Sequence, residues 1–541
     1  MPRLNSSAFA RSTCVGVALV LLCSPSVYAQ TATKSPAAER ATPEQRAARA
    51  FEAARANPLD LRAFLVRMPK GADLHYHLAG GIYAESWIRA AVEDGLCVDV
   101  SSHSLAKPEA VMRSTPPQPI CGQGKMPAVK AFADQHVYDA FINAFSMRSF
   151  VPSAGVSGHD HFFDSFAKFD GTATRHTGEW LDEIATRAAS QNEQYIELME
   201  TPVFSHTAQI AKEIGWRDDL DQLRAELLAH GLRDDIAVAR AEFDEAETLR
   251  SAREHCGEPQ EAPACKVSFR YLYQVLRGFP KEQVFAQTLL GFEVASADPR
   301  FVGINYVMPE DGATSMADYA LHMKIVGFLH GLYPKVHISL HAGELAPGLV
   351  TQEGLCCHIR LAVVEAHAER IGHGVDVMQE DRPYELLKEM AAKHVMVEIN
   401  LTSNDVILGV KDKDHPLPIY RKYRVPVALS TDDEGVSRID MTREYVRAAE
   451  TYALSYEDLK QMVRTGLEHN FLPGASLWRE PDNFARPAAA CSQDTPGAAK
   501  PFRVNPQGEP SAMCAAFLKS SEKARQQWEL EGRFREFEAS F

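Results

Sequence analysis

The stretch Val336-His337-Ile338-Ser339-Leu340 runs straight into His341-Ala342-Gly343-Glu344. The first five residues predict a short strand, and a histidine and a glutamate follow where it ends. The arrangement recurs: an apolar run leads into Leu74-His75-Tyr76-His77, another into Gly372-His373-Gly374, and a third into Ser430-Thr431-Asp432-Asp433. A parallel barrel of alternating strands and helices places its chemical groups in this way, at the carboxyl ends of its strands.

Outward from these segments, eight strands are predicted over 72–76, 195–199, 267–272, 301–306, 336–340, 370–372, 395–399 and 425–429. Helix-like runs over 316–332, 355–368 and 383–393 lie between several of them. The alternation predicts an α/β fold, a (β/α)8 TIM-type barrel over 68–480, with extra N-terminal helices over 43–67 and a long insertion after strand 1. That insertion includes a segment around 97–121, and Gly158-His159-Asp160-His161-Phe162-Phe163 reads as the start of an aromatic helix serving as a lid or pocket wall. The C-terminal part, 481–541, reads as a loop-like segment over 482–511 and a charged final helix over 521–537.

At the other end, Arg3 and Arg11 precede an apolar run that ends near Val27-Tyr28-Ala29. Residues 1–29 therefore predict a secretory signal, followed by a disordered leader over 30–42. The implied location is secreted or periplasmic. The apolar run is too short to span a bilayer, and a formal charge of −15 repels phosphate backbones, so neither membrane nor nucleic acid is expected as a partner. Of ten cysteines, Cys14 and Cys23 fall in the signal-like segment, leaving an even set that suggests disulfides. Cys97 with Cys121 and Cys256 with Cys265 would close short loops. For Cys356 and Cys357 a bond and a pair of buried free thiols are both open.

His75 and His77 are two apart on one strand, so their side chains share a face. His341 comes from the fifth strand and Asp432 from the eighth, and closure of a barrel brings its first and eighth strands together. Three imidazoles and one carboxylate suit one Zn2+ per chain, and iron or cobalt fits the same set. Glu344 is placed to act as general acid, His373 to orient an attacking water or take its proton, and Asp433 to hydrogen-bond the substrate. The expectation is a hydrolytic metalloenzyme.

Met68-Pro69-Lys70-Gly71-Ala72-Asp73-Leu74-His75-Tyr76-His77 resembles the adenosine deaminase family of zinc aminohydrolases, and in particular its secreted adenosine deaminase-related growth factor branch. The segments at His341, Arg370-Ile371-Gly372-His373-Gly374, Glu398-Ile399-Asn400-Leu401-Thr402-Ser403-Asn404 and Ser430 are similar to that family's later motifs, in the same order. The resemblance spans roughly residues 60 to 475. It implies zinc held by His75, His77, His341 and Asp432, with Glu344 as proton donor to a purine ring and with His373 and Asp433 positioning the attack. The implied reaction is hydrolytic deamination of adenosine or a related amino-purine nucleoside, giving an inosine-type product and ammonia. Substrate contacts are expected from Ala79, Met308, Gly343 and Asp433. Ala79 stands where cytosolic members usually carry an aspartate that helps hold the ribose, and Met308 where the family usually has a glycine against the purine. Two other readings stay open: a different mononuclear-metal amidohydrolase, and a nucleoside-binding, growth-factor-like protein with little turnover. A homodimer is also left open, with the helix over 43–57 as a pairing surface.

Overall fold

A parallel strand enclosed by helices on one side and by packed barrel interior on the other is buried on both faces. The strand Gly71–His77 (β1) shows this, since all seven of its residues are buried, including Asp73, His75 and His77. The computed structural model describes residues 41–113, 118–172, 174–497 and 510–541. The expected signal over 1–29, and the leader except for Ala41 and Thr42, lie outside the described residues.

After β1 come Glu193–Glu200 (β2), Ser268–Leu276 (β3), Phe301–Val307 (β4), His337–Ala342 (β5), Arg370–His373 (β6), Met396–Ile399 (β7) and Val427–Leu429 (β8). They form one eight-stranded parallel sheet in chain order. The last strand meets the first through a parallel bridge between Tyr76 and Asp432. There the N–H of His77 donates to Asp432 O at 3.1 Å, and the N–H of Asp432 to His75 O at 2.9 Å. The seam of the (β/α)8 barrel thus runs through three of the four residues expected to hold a metal.

Every expected strand is present, with ends that differ by a few residues. The helix expected over 355–368 is shorter, His358–Val364. Cys356 and Cys357 precede it and are joined by a disulfide, and Cys357 has φ +96°, which no α-helix accommodates. Three further disulfides join Cys97 to Cys121, Cys256 to Cys265 and Cys491 to Cys514. The segment expected to be loop-like after residue 482 contains Asn483–Pro487, paired antiparallel with Trp478–Glu480.

Helices Pro43–Ala54 (α1) and Pro58–Arg67 (α2) precede the barrel, and Asn57 caps α2 by accepting from the N–H of Leu59 at 2.8 Å. The buried face of α1, Ala47 and Phe51, is covered within the chain: Phe51 lies 5.4 Å from Phe64 of α2 and 6.4 Å from Tyr456, ring centre to ring centre. That face is therefore not free to pair subunits. In the insertion after β1, short antiparallel strands carry the Cys97–Cys121 bridge. The helix Gly158–Phe169 (α3) follows, with Ser157 and Asp160 forming a reciprocal cap at its start. Among the described residues no helix is long and apolar enough to cross a membrane.

Candidate active site

At the carboxyl end of the barrel four ligand atoms face one another. His75 Nε2 and His341 Nε2 are 3.1 Å apart, and His77 Nε2 and His341 Nε2 3.2 Å. Asp432 Oδ1 lies 3.3 Å from His75 Nε2 and 3.2 Å from His77 Nε2. All four residues are buried. Gly372 is required behind them, because a Cβ there would sit 2.5 Å from the His75 ring.

What the far side of each ring touches decides what these atoms can do. His75 Nδ1 donates to Glu398 Oε2, His77 Nδ1 to Gln274 Oε1 and His341 Nδ1 to Asn305 Oδ1, each at 2.6 Å. With all three protons used outward, three Nε2 lone pairs and a carboxylate oxygen converge with no hydrogen between them. Asp432 Oδ1 is buried without a hydrogen-bond partner. Such a set repels itself unless a cation sits inside it. A tetrahedral zinc with bonds of about 2.0 to 2.2 Å spaces its ligands roughly 3.3 to 3.6 Å apart, close to the separations found, so the residues fit the group. The outward carboxylate and amide oxygens fix each ring's tautomer, as such partners do at metal sites.

Charge tells the same story. Burial alone would depress His75, but its contacts with Asp432 and Glu398 outweigh that and raise it to about 10. The two carboxylates thus favour positive charge at this position. His341 goes the other way, well below the ordinary histidine value, through burial first and then the neighbouring His75, His77 and His373. Glu398 is itself anchored by Arg370 Nε at 2.6 Å, and burial, which would raise it, is outweighed by Arg370 and His75. Arg370 Nη1 in turn meets Glu197 at 2.6 Å, so a buried ion network underlies the site.

Glu344, His373 and Asp432 form a second cluster. His373 Nδ1 is 3.6 Å from Glu344 Oε1, and its Nε2 is 3.7 Å from Asp432 Oδ2. Burial first, then the negative Asp432 and Glu310, hold the Glu344 carboxyl well above the ordinary value. These surroundings favour the protonated form, the form a general acid needs. Asp433 is raised to about 8 by burial and by Asp432. Gly80 lets it in, since a Cβ at that glycine would overlap Asp433 Oδ1.

These groups open onto a cavity of about 390 Å³ lined by His77, His341, Glu344, Asp432 and Asp433 on one part. Phe162, Phe163 and Phe166 of α3 line another, with Leu276, Met308 and Ile407. The aromatic helix read from the sequence is thus a pocket wall. Ala79 lines the cavity as well. Met308 adopts φ +85°, and its sulfur accepts from the N–H of Gly278 at 3.3 Å. Gly343 is buried and its N–H is engaged elsewhere, by Glu310 Oε1 at 3.0 Å.

Glu310 is absent from the sequence reading. Its second oxygen accepts from the N–H of Glu344 at 3.0 Å, and His358 Nδ1 donates to the first at 2.5 Å. One buried carboxylate thereby clasps the backbone that carries the candidate acid. Burial opposes its charge, yet His358, Arg277 and the Gly343 N–H hold it down at about 2. The available signal was its place just past the carboxyl end of β4. Gln274 and Asn305, which orient His77 and His341, were equally unread.

A family model described as adenosine deaminase matches residues 180–477. Its span covers His341, Glu344, His373, Asp432 and Asp433 and starts after β1, so His75 and His77 join the site through the fold. An adenosine deaminase of Clostridium perfringens (strain 13 / Type A) is 35% identical over 135 residues, 25% of this chain and 37% of that protein. One of Escherichia coli O1:K1 / APEC is 38% identical over 138 residues, 25% of this chain and 38% of that protein. The matches thus span well under half the length of these relatives. Among solved structures, adenine deaminase from Arthrobacter aurescens is similar at 16% identity and TM-score 0.48, covering 75% of this chain and 94% of that one. An Arabidopsis N6-mAMP deaminase is similar at 20% identity and TM-score 0.48, covering 76% and 96%. With the family model matched over more than half of its length, the chain belongs to the adenosine deaminase family.

Proposed function

We propose that this protein is an exported, zinc-dependent aminohydrolase that replaces the amino group of adenosine, or of a related amino-purine nucleoside, by oxygen and releases ammonia. The observation that carries the reading is the pairing, in one cavity, of a four-atom cation cradle with a buried carboxyl that keeps its proton. His75, His77, His341 and Asp432 would hold the ion. When bound, zinc lowers the pKa of water toward neutrality and so supplies hydroxide.

The chain's own residues do the rest. Glu344 donates its proton to a ring nitrogen of the purine, which makes the neighbouring carbon electrophilic. His373 and Asp433 flank the approach and orient the attacking oxygen. The aromatic wall of α3 covers the bound base and excludes water. Family membership supports the reaction class. The signal-like segment 1–29 and the paired cysteines support export, since disulfides persist in oxidising compartments.

The test is a screen of the purified protein against amino-purine nucleosides, nucleotides and free bases, with ammonia and bound metal quantified. One zinc per chain and ammonia release from adenosine or a close analogue are expected. Intact, zinc-loaded protein that deaminates none of them would overturn the reading. Non-reducing mass spectrometry of secreted protein tests export: the mature chain should begin near Gln30, and an uncleaved start or eight free thiols would contradict it.

A further inference from the structure

Behind His373 a chain of hydrogen bonds leads away from the cavity, and its direction is fixed at the far end. The backbone N–H of Leu417 can only donate, and it donates to His415 Nδ1 at 3.1 Å. That nitrogen therefore carries a lone pair, so the proton of His415 is on Nε2, which donates to Asn404 Oδ1 at 3.0 Å. An amide whose oxygen is taken presents its NH2 on the other side, and Asn404 Nδ2 donates to His373 Nδ1 at 2.9 Å. His373 is left with its lone pair on Nδ1 and its proton on Nε2. Nε2 is the atom that lies 3.7 Å from Asp432 Oδ2.

Asn404 and His373 are fully buried and His415 is 2% exposed, so water does not compete for these bonds. Asn404 sits on the short helix Leu401–Leu408 that follows β7, and His415 immediately precedes Pro416 and the helix Leu417–Tyr423. Burial keeps His415 uncharged, near 3, as its role of acceptor and donor at once requires. Asn400 also approaches His373, but at 3.5 Å from both ring nitrogens its amide selects neither.

We infer that Asn404, oriented by His415, is a positioning residue that holds His373 in the tautomer protonated on Nε2, so that His373 meets the attacking water as a hydrogen-bond donor and not as the acceptor of its proton. The inference rests on the place given to His373 in the proposed function. An amide placed only to fill space would leave the tautomer free, and the tautomer can be measured.

Asn404→Asp keeps the size but offers His373 Nδ1 a carboxylate oxygen, which draws the proton to the wrong nitrogen. In the zinc-loaded enzyme kcat should fall about 10- to 100-fold, as on loss of comparable outer partners, with KM and bound zinc unchanged. In a His373→Ala background the same change should cost nothing more, because its effect passes through that ring. Wild-type kcat in Asn404→Asp, or losses that multiply in the double variant, would overturn the inference. A second measurement needs no folded Asn404 variant. In zinc-loaded wild type labelled with 15N-histidine, the signals that vanish in His373→Gln belong to His373, and they should show an unprotonated Nδ1 and a protonated Nε2. The opposite pattern overturns the inference, and this spectrum decides the tautomer whether or not turnover is found.

Discussion

A carboxyl surrounded by carboxylates keeps its proton, and at the scale of single residues this property separates Glu344 from Asp432, 88 positions later but in the same cluster. Glu344→Gln should fold, bind metal normally and lose a factor of about 10² to 10⁴ in turnover, the usual cost of a missing general acid. Wild-type rates would assign the proton to another group. Glu310 acts one step back. In Glu310→Gln, one of the two backbone N–H groups it clasps faces an amide NH2, and a buried donor left unpaired costs about 1 to 3 kcal/mol. Its pKa is lowered from an ordinary 4.5 to about 2, so the stability it contributes is complete above about pH 4.5 and is lost as pH falls toward 2. The melting temperatures of wild type and Glu310→Gln should therefore differ most above that range and converge below it, and a constant gap would refute the low value. The four ligands were legible in the sequence because each lies at the end of a strand-like segment. Glu310 was not, because its partners Gly343, Glu344 and His358 stand 33, 34 and 48 residues away and only folding brings them together.

Elements were easier to read than partners. Most barrel strands are buried on both faces, and several read as short, largely apolar runs closed by polar residues, which made the strands legible in the sequence. Helix ends were harder, as at Cys357, where the left-handed backbone that stops the helix has no hydrophobic signature. The aromatic helix α3 was readable as a wall, and its consequences for substrate choice are testable. Among the described residues no lysine or arginine lines the cavity, whereas Glu344, Asp432 and Asp433 do. A 5′-phosphate would find no counter-charge among these lining side chains, so AMP should react far more slowly than adenosine. Ala79 contributes a methyl group where a carboxylate would accept a bond from ribose, a bond worth roughly 1.5 to 3 kcal/mol. Removing the 5′-hydroxyl should therefore cost little, and comparing kcat/KM for adenosine and 5′-deoxyadenosine decides it. A loss well above 1.4 kcal/mol, about tenfold, would refute this tolerance. Phe166→Ala should raise KM for both compounds alike, because it removes wall and not chemistry.

For the molecule as a whole, closing the barrel and building the site are one event. The seam between β1 and β8 is bonded through His75, His77 and Asp432, so whatever neutralises the four facing ligand atoms also holds the barrel shut. In metal-free protein that neutralising charge is the proton on His75, whose pKa is raised to about 10 by Asp432 and Glu398 against the opposing effect of burial. The sign follows from linkage: a group whose folded pKa exceeds its unfolded value adds stability that is complete below the unfolded value, here 6.5, and fades as pH rises through the folded one. Metal-loaded protein has no such dependence, because the ion replaces the proton and its binding to the native state adds stability of its own. Chelator-treated protein should therefore lose thermal stability steadily between about pH 6.5 and 10, while zinc-loaded protein stays nearly level. The gap between the two melting curves should widen with pH across that window. Parallel curves would mean that the proton on His75 does not stand in for the ion, and that the seam is held by backbone bonds alone.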